Sequence, residues 1–273
     1  MKFKIAVAQF RINQIDAYDN LRRAEKFIKR AARSEAGIII FPEYFVDGTG
    51  NGDLGRFDSG GKYEKYFQGL AKKYSIDIVA GSVVEKAGGK LYNVSCYIDS
   101  GGNILSKYKK INLWHTEKPF VSAGRELSVF DTRFGKAGLV ICWDLFFPEM
   151  FRGMVERGVE IVLCPSYWRY EDAGIGLKYD RNSEIKLIDS VCVARAFENE
   201  IIFVYCSAAG RMKIGDSTDT LTGHSQIAVP FMGCIGKLAQ NGEAMLIREV
   251  DTDILKDADR VYGIRKKEAR NKK

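Results

Sequence analysis

The chain has 273 residues, of which 46% are hydrophobic, and its formal net charge is +7. This composition excludes a disordered, collagen-like or coiled-coil chain and supplies enough apolar surface for a sizeable core. The apolar runs are shorter than the roughly 18 residues that a membrane-spanning helix needs, and the N-terminus lacks the apolar region of a secretion signal. We therefore expect a cytoplasmic protein that contacts no membrane.

Much of the positive charge lies at 265–273, where six residues are basic and one is acidic. We interpret 263–273 as a solvated basic tail that follows a single domain at 1–262, and we expect no nucleic-acid partner. The six cysteines form no C-x-x-C pair and there are only two histidines. Because structural zinc sites need clusters of such residues, we expect no metal. Five of the cysteines are expected in the core.

Apolar spacing predicts alternating strands and helices along the first half of the chain. A buried strand at 4–10 is followed by a helix at 19–36, with Gly37 as its C-cap. The apolar strand at 37–41 then leads almost directly to Glu43, which is unusual for a strand buried on both faces. Further on, the pattern predicts a helix at 62–74, strands at 76–84 and 91–98, and turns at 87–89 and 100–103.

A similar order recurs in the second half. An apolar strand at 137–141 leads to Cys142, and a helix is predicted at 147–158. The pattern then predicts a strand at 161–164, a polar loop at 167–182, a helix at 183–198, strands at 201–206 and 224–229, and a strand at 244–250 after a hairpin-like turn at 240–243. Because helices alternate with strands while many strands come in consecutive pairs, we expect an α/β fold with sheets packed on each other.

Three reactive side chains lie at the ends of otherwise apolar segments: Glu43, Lys110 and Cys142. Each alone is ambiguous, because a cysteine after an apolar strand is usually a core residue. Their flanking motifs are more specific. They are FPE ending at Glu43, S-K-Y-x-K ending at Lys110 and C-x-D-x-x-F-P-E beginning at Cys142, with further motifs at 124–132, 195–199 and 223–227. In these motifs and their order the chain resembles the carbon–nitrogen hydrolase (nitrilase) superfamily, whose members carry a catalytic Glu, Lys and Cys.

The resemblance implies a four-layer α-β-β-α sandwich with internal pseudo-symmetry, and a hydrolase that needs no cofactor. The chemistry agrees, because a thiol with a pKa near 8.5 needs a base to become an effective nucleophile. A carboxylate in a closed apolar pocket has a raised pKa that suits it to this task. We therefore expect Glu43 to activate Cys142, while Lys110 and the backbone N–H of Trp143 hold the oxyanion of an amide substrate.

Amidase-type members of the superfamily carry a second glutamate shortly after the lysine. This implies that role for Glu117, with Glu126 as the competing candidate. For the acids near the cysteine, Asp144 and Glu149, we expect structural roles, and we expect Arg195 and Glu198 to pair on one helix face. The candidate pocket walls are Tyr44, His115, Tyr167 and Trp168, although core packing explains the aromatic residues equally well.

The resemblance also narrows the substrate. The Trp143-Asp144 pair after the cysteine is similar to amidases and carbamoyl-amine hydrolases, not to true nitrilases, so we expect amide cleavage. Members that act on N-carbamoyl amino acids place arginines shortly after the cysteine, whereas 145–147 is Leu-Phe-Phe. This looks like the carbamoyl-polyamine hydrolase pattern, and the loop acids Glu171, Asp172 and Asp180 would suit an amine substrate.

Two alternatives remain open at this point: a nitrilase or acyl-transfer enzyme with the same three residues, and a binding protein that keeps the fold without catalysis. The superfamily's lipoprotein acyltransferases carry membrane spans and its synthetase-fused glutaminases carry a second large domain, so from the length of this sequence we expect neither of these two activities. The resemblance further implies a homodimer or larger assembly.

Overall fold

A computed structural model describes residues 1–48, 58, 60–214 and 216–265. The helices in this part of the chain are α1 (Ala17–Arg33), α2 (Lys62–Tyr74), α3 (Pro148–Val155), α4 (Ser183–Asn199) and α5 (Asp253–Val261). The strands are β1 (Lys2–Gln9), β2 (Ala36–Ile40), β3 (Asp77–Ala87), β4 (Lys90–Ile98), β5 (Ile104–Lys109), β6 (Phe130–Thr132), β7 (Gly135–Leu139), β8 (Ile161–Ser166), β9 (Ile202–Ser207), β10 (Ala209–Ile214), β11 (Ser217–Thr222), β12 (Gln226–Val229), β13 (Gly233–Lys237) and β14 (Ala244–Asp251).

Two six-stranded sheets dominate the fold and follow one plan. Sheet I has the order β14-β1-β2-β3-β4-β5, and sheet II has the order β6-β7-β8-β9-β12-β13. In sheet I, β1, β2 and β3 are parallel, with antiparallel strands on both sides. In sheet II, β7, β8 and β9 are parallel, again with antiparallel strands on both sides. This repetition confirms the internal pseudo-symmetry predicted above.

The alternation of side chains along β1 shows how the layers are built. Ile5 and Val7 belong to the core that includes the strands of sheet II, whereas Ala6 and Ala8 belong to the core that includes Leu21 and other residues of α1. Successive strand residues point to opposite faces, so sheet I is covered by sheet II on one face and by helices on the other. On the outer face of sheet II, helix α4 packs against β9 and β12, so the predicted four-layer α-β-β-α sandwich is confirmed.

The interpretation of Gly37 as a helix C-cap is wrong. Helix α1 ends at Arg33, and Gly37 lies inside β2. There the ring of Phe134 approaches so closely that a Cβ atom on Gly37 would overlap it. The position therefore favours glycine because of packing between the two sheets, not because of a turn.

The turn at 240–243 does not form a hairpin, contrary to the sequence prediction. Strand β13 belongs to sheet II, whereas β14 pairs with β1 in sheet I, so the turn carries the chain from one sheet to the other. Gln9 holds it in place, since its Nε2 donates to the carbonyl oxygens of Gln240 at 2.6 Å and Gly242 at 2.8 Å.

Three other expectations need correction. The polar loop predicted at 167–182 contains a 3₁₀ helix at Tyr170–Lys178. Cys234 is exposed, so four of the five cysteines expected in the core are buried. The start of the basic tail is docked, because the Arg265 guanidinium donates to the carbonyl oxygens of Glu200 at 3.0 Å and Val159 at 2.9 Å. The rest of the tail, 266–273, lies outside the described residues.

Among the described residues, no helix is both long enough and apolar enough to cross a membrane.

Candidate active site

The end of β2 turns a glutamate into the interior. The backbone N–H of Phe41 donates to the carbonyl of Val79 at 3.0 Å, so the chain stays pinned to β3 past the end of the strand. Tyr44 then adopts a φ of 55°, a left-handed conformation that is uncommon for residues other than glycine. Between them, Glu43 is only 1% exposed. A buried carboxylate is costly unless it is paired, and the contacts of Glu43 supply that pairing.

A second sharp turn presents the cysteine. Cys142 follows β7, has a φ of 48° and begins a 3₁₀ helix at Cys142–Phe146. Such a conformation costs on the order of 1 kcal/mol or more for a residue with a Cβ atom and persists only when the surroundings hold it. The strained position coincides with the residue predicted to be the nucleophile.

Asp144 holds this turn against the segment that carries Lys110. Its Oδ2 accepts from the Ile141 N–H at 2.9 Å and from the Tyr108 hydroxyl at 2.6 Å, and its Oδ1 accepts from the Asn112 N–H at 2.8 Å. Because Tyr108 and Asn112 lie on either side of Lys110, the carboxylate fixes the lysine segment relative to the cysteine turn. These contacts give Asp144 a structural task.

Lys110 lies between two glutamates. Its Nζ donates to Glu43 Oε1 at 2.8 Å and to Glu117 Oε2 at 2.7 Å, and the lysine side chain is 1% exposed. Glu117 also accepts from the Trp114 N–H at 2.7 Å and from the Tyr44 hydroxyl at 2.5 Å. The two carboxylates and the Lys110 ammonium form a buried cluster joined by hydrogen bonds, the arrangement in which buried charges are tolerated.

The backbone of Tyr167 joins the cysteine to this cluster. Its N–H donates to Glu43 Oε2 at 3.0 Å, and its carbonyl oxygen accepts from the Cys142 thiol at 3.5 Å. One residue after β8 therefore orients both the glutamate and the thiol.

The pKa values of the two carboxylates in the cluster are shifted in opposite directions. Burial raises the pKa of Glu43 to about 7, with Glu117 adding to the shift and Lys110 opposing it. For Glu117, burial is outweighed by Lys110, whose charge and hydrogen bond bring the pKa of Glu117 below its usual value. Burial lowers the pKa of Lys110, but the two glutamates raise it well above its usual value. At neutral pH, Glu117 is therefore ionised while Glu43 is poised to take or release a proton.

The thiol is protonated in the resting site. Burial raises the pKa of Cys142 well above its ordinary value, Glu43 adds to the shift and Lys110 opposes it. A thiol is a weak nucleophile in this form, so the site needs a proton acceptor at the moment of attack.

A cavity of about 40 Å³ opens onto these groups, against the 10–15 Å³ or so that one ordered water needs. All three tryptophans of the chain, Trp114, Trp143 and Trp168, contribute to its wall. The Trp143 ring lies 4.5 Å from that of Trp114 and 5.8 Å from that of Trp168, measured between centroids. The cavity therefore has room for more than one water molecule, and part of its wall is aromatic.

The structure brings most of the predicted site residues together. Glu43, Lys110, Glu117 and Cys142 all line the cavity, as do Tyr44, Trp143, Tyr167 and Trp168. The prediction for His115 is wrong, because this side chain is exposed and its neighbours Trp114 and Thr116 line the cavity instead. Glu126, the competing second glutamate, is exposed and lies outside the cavity wall.

Sequence reasoning missed Asn93. This residue lies within β4, is fully buried and donates from Nδ2 to Glu43 Oε1 at 2.8 Å and to Glu117 Oε1 at 3.0 Å. The available signal was an amide side chain in the apolar segment LYNVSCYI, since buried polar groups require partners.

Sequence reasoning also missed Arg169, which lines the cavity beside Asp172. Its guanidinium donates from Nε to Asp172 Oδ1 at 2.9 Å and from Nη1 to Asp219 Oδ2 at 2.7 Å. Of the three loop acids singled out for an amine substrate, Asp172 alone lines the cavity. Glu171 accepts from the Thr220 N–H and Asp180 pairs with Lys186.

The chain is similar to known proteins over nearly its whole length. The family model for carbon–nitrogen hydrolases matches residues 4–259. The chain is 29% identical to a probable nitrilase of Schizosaccharomyces pombe, covering 96% of this chain and 93% of the relative. It is 28% identical to an omega-amidase of Danio rerio, covering 97% and 94%. A carbon–nitrogen hydrolase from Helicobacter pylori G27 superposes with a TM-score of 0.85 at 18% identity, covering 97% and 94%.

Proposed function

The chain belongs to the carbon–nitrogen hydrolase family, and we propose that it is an amidase that cleaves a small non-peptide amide or N-carbamoyl amine and releases ammonia. The observation that carries the proposal is the convergence of Glu43, Lys110, Glu117 and Cys142 on one buried cavity. This set supplies a nucleophile, a base with a pKa of about 7 and a cation for a developing oxyanion.

The first half of the reaction forms a thioester. Glu43 takes the thiol proton as Cys142 Sγ attacks the substrate carbonyl carbon, and the electron pair of the C=O bond moves onto oxygen. Lys110 and the backbone N–H of Trp143 stabilise this oxyanion, an effect worth about 3–4 kcal/mol per well-placed donor. The oxyanion then collapses, the C–N bond breaks, and Glu43 returns its proton to the departing nitrogen as ammonia leaves.

The second half releases the acid. Glu43 takes a proton from water, the hydroxide attacks the thioester carbonyl, and collapse breaks the C–S bond. The thiolate of Cys142 recovers the proton from Glu43, so the site ends as it began. Glu117 takes no proton in this scheme. It stays ionised and keeps Lys110 charged and oriented toward the oxyanion.

The charge beside the cavity favours an amine tail on the substrate. Arg169 pairs with Asp172, which lines the cavity with it, and with Asp219, which is not part of the cavity wall. This cluster holds one positive and two negative side chains, and its net negative charge attracts an ammonium group and disfavours a carboxylate. The curated relative named as an omega-amidase makes the competing ω-amide substrates the natural comparison.

The test is ammonia release from four substrate classes: carbamoyl-amines, ω-amides, simple aliphatic amides and nitriles. Wild type is compared with Cys142→Ala and with Cys206→Ala, a matched control. Cys206 is also buried, and it donates to the carbonyls of Ala8 and Ile40 at 3.3 Å, away from the cavity. We expect release by wild type and Cys206→Ala and none by Cys142→Ala, with carbamoyl-amines preferred.

Three other results would redirect the proposal. Conversion of nitriles in preference to amides would identify a nitrilase. A preference for ω-amides bearing a carboxylate would contradict the role given to the rim acids. Release that survives in Cys142→Ala, or no release from any class by the folded wild type, would contradict amide hydrolysis through this cysteine.

A further inference from the structure

Asn93 is a second donor, besides Lys110, that binds both glutamates of the site. It occupies the interior of β4, paired with Val84 of β3, and has no exposed surface. A buried amide costs about 1–3 kcal/mol unless it is bonded. Both bonds that its Nδ2 donates go to carboxylate oxygens of the site, at 2.8 Å to Glu43 and 3.0 Å to Glu117. No bond to another part of the fold explains this amide among the described residues, since its Oδ1 has no hydrogen-bond partner there.

We propose that Asn93 is a positioning residue, which clamps Glu43 and Glu117 on either side of Lys110 and so determines which oxygen of Glu43 receives the thiol proton. The inference rests on the proposed function, because the proton in question is the one that Glu43 takes from Cys142.

The hydrogen-bond inventory supports this assignment of the two oxygens. Glu43 Oε1 accepts from both Lys110 Nζ and Asn93 Nδ2. Glu43 Oε2 accepts from the Tyr167 N–H, and the carbonyl of that same residue accepts from the Cys142 thiol. A carboxylate oxygen that already holds two donors is the poorer proton acceptor. The proton therefore goes to Oε2, on the side of the thiol.

Lys110 alone would not hold this arrangement. It binds Oε1 of Glu43 but Oε2 of Glu117, whereas Asn93 binds Oε1 of both. The planar amide directs its two N–H bonds in a fixed geometry and brings no charge of its own. An aspartate of the same shape would replace the donors with a third carboxylate.

If Asn93 had only a structural role, its replacement would leave the pH dependence of catalysis unchanged. The pH profile of the reaction therefore tests the proposal. The titratable groups that face Glu43 are the Lys110 ammonium, the Glu117 carboxylate, the Cys142 thiol and the hydroxyls of Tyr44 and Tyr167. Asn93 adds a neutral hydrogen bond that favours the ionised form of Glu43. Removing it should raise the pH at which Glu43 loses its proton by about one to two units, the equivalent of one hydrogen bond to a charged group.

The experiment compares wild type with Asn93→Asp and Asn93→Ala. Ser95→Ala is the matched control, because Ser95 lies two residues further along β4, is equally buried, and has no hydrogen-bond partner for its hydroxyl among the described residues. The acid limb of kcat/KM for ammonia release is expected near pH 7 in wild type and Ser95→Ala. It should lie one to two units higher in Asn93→Ala and at least as far up in Asn93→Asp, where the added carboxylate raises the pKa of Glu43 further. We also expect kcat to fall at least tenfold in these variants, with KM changed less.

A second measurement does not depend on amide hydrolysis. Iodoacetamide alkylates Cys142: the C–S bond forms, the C–I bond breaks to release iodide, and Glu43 takes the thiol proton. Mass spectrometry of the Cys142 peptide gives the rate at each pH separately from the exposed Cys234. The pH at which the alkylation rate rises should be higher in both Asn93 variants than in wild type. If wild type alkylates in this way but hydrolyses nothing, the proposed function fails while the role of Asn93 stands. If both Asn93 variants fold and neither profile moves, Asn93 is not a positioning residue.

Discussion

The central strands of the two sheets occupy matching places but end in different chemistry. In sheet I, β2 leads to Glu43, a buried acid, whereas β8 of sheet II leads to Tyr167, which contributes its backbone N–H and carbonyl. For the first parallel strand of each sheet the situation is reversed. The reactive residue, Cys142, follows β7 of sheet II, whereas β1 of sheet I leads to Phe10, a core residue. A repeated topology brings strand ends to the same place, and the residue at each end then decides what it contributes.

The two halves of the chain therefore contribute different groups to the site. The half built on sheet I supplies the ionisable and amide side chains that set the charge of the site: Glu43, Asn93, Lys110 and Glu117. The half built on sheet II supplies the thiol and the backbone that holds it. Because the groups meet only across the packed sheets, neither half alone contains a complete site.

The largest effect is expected from neutralising the acid at the end of β2. Glu43→Gln keeps the shape of the side chain but removes the proton acceptor, and general-base catalysis contributes on the order of 10²- to 10⁴-fold. We therefore expect kcat/KM for ammonia release to fall by at least 10²-fold.

The matched variant in the other half is Glu184→Gln. Glu184 is a buried glutamate of α4 that accepts from Trp168 Nε1 at 2.5 Å, and it takes no part in the proposed proton transfers. We expect its kcat/KM to stay within about tenfold of wild type, since a glutamine oxygen can still accept this bond. Equal losses of kcat/KM in Glu43→Gln and Glu184→Gln would contradict the assignment of the proton acceptor to the first half alone.

The next effect concerns stability. Lys110→Met leaves Glu43 and Glu117 buried without their shared cation, and breaking a buried ion pair on one side costs about 3–5 kcal/mol. Arg195→Met is the comparison in the second half, where the arginine donates to the Leu145 carbonyl at 3.0 Å and pairs with the half-exposed Glu198. Its loss should cost about 1–2 kcal/mol. Urea unfolding at pH 8 measures both, and a Lys110 variant as stable as the Arg195 variant would show that the cluster is not held by charge.

Part of this arrangement could be predicted from the sequence because it is local. Glu43, Lys110 and Cys142 each lie in a short motif, and the resemblance of these motifs to a known family implied that the three residues act together, with Glu117 seven residues after Lys110. The order of strands and helices likewise predicts the layers, as confirmed above.

The rest depends on contacts between segments that are distant in the chain. Gly37 is explained only by the ring of Phe134, and the crossing at 240–243 only by the pairing of β14 with β1. Asn93 looks like any polar residue of a strand until β4 is placed beside both glutamates. His115 and Trp114 are neighbours in one loop, and the path of that loop, not its composition, decides which side chain lines the cavity.

The smallest expected effect on catalysis comes from replacing one of two tyrosines that line the same cavity. Their ring centroids are 6.3 Å apart, but the Tyr44 hydroxyl donates to Glu117 at 2.5 Å, whereas the Tyr167 hydroxyl has no hydrogen-bond partner among the described residues. Without its tyrosine donor, Glu117 has a higher pKa and is a weaker partner for Lys110. Tyr44→Phe should therefore lower kcat by about threefold to tenfold.

Tyr167→Phe should stay within about twofold of wild type, because the groups through which Tyr167 holds Glu43 and Cys142 belong to its backbone and are unchanged by the substitution. Steady-state ammonia release at pH 8 compares the two variants. If Tyr167→Phe were the slower enzyme, the second half would be contributing a side-chain hydroxyl to the chemistry. The end of β8 would then differ from the end of β2 in the kind of side chain it contributes, not in contributing backbone alone.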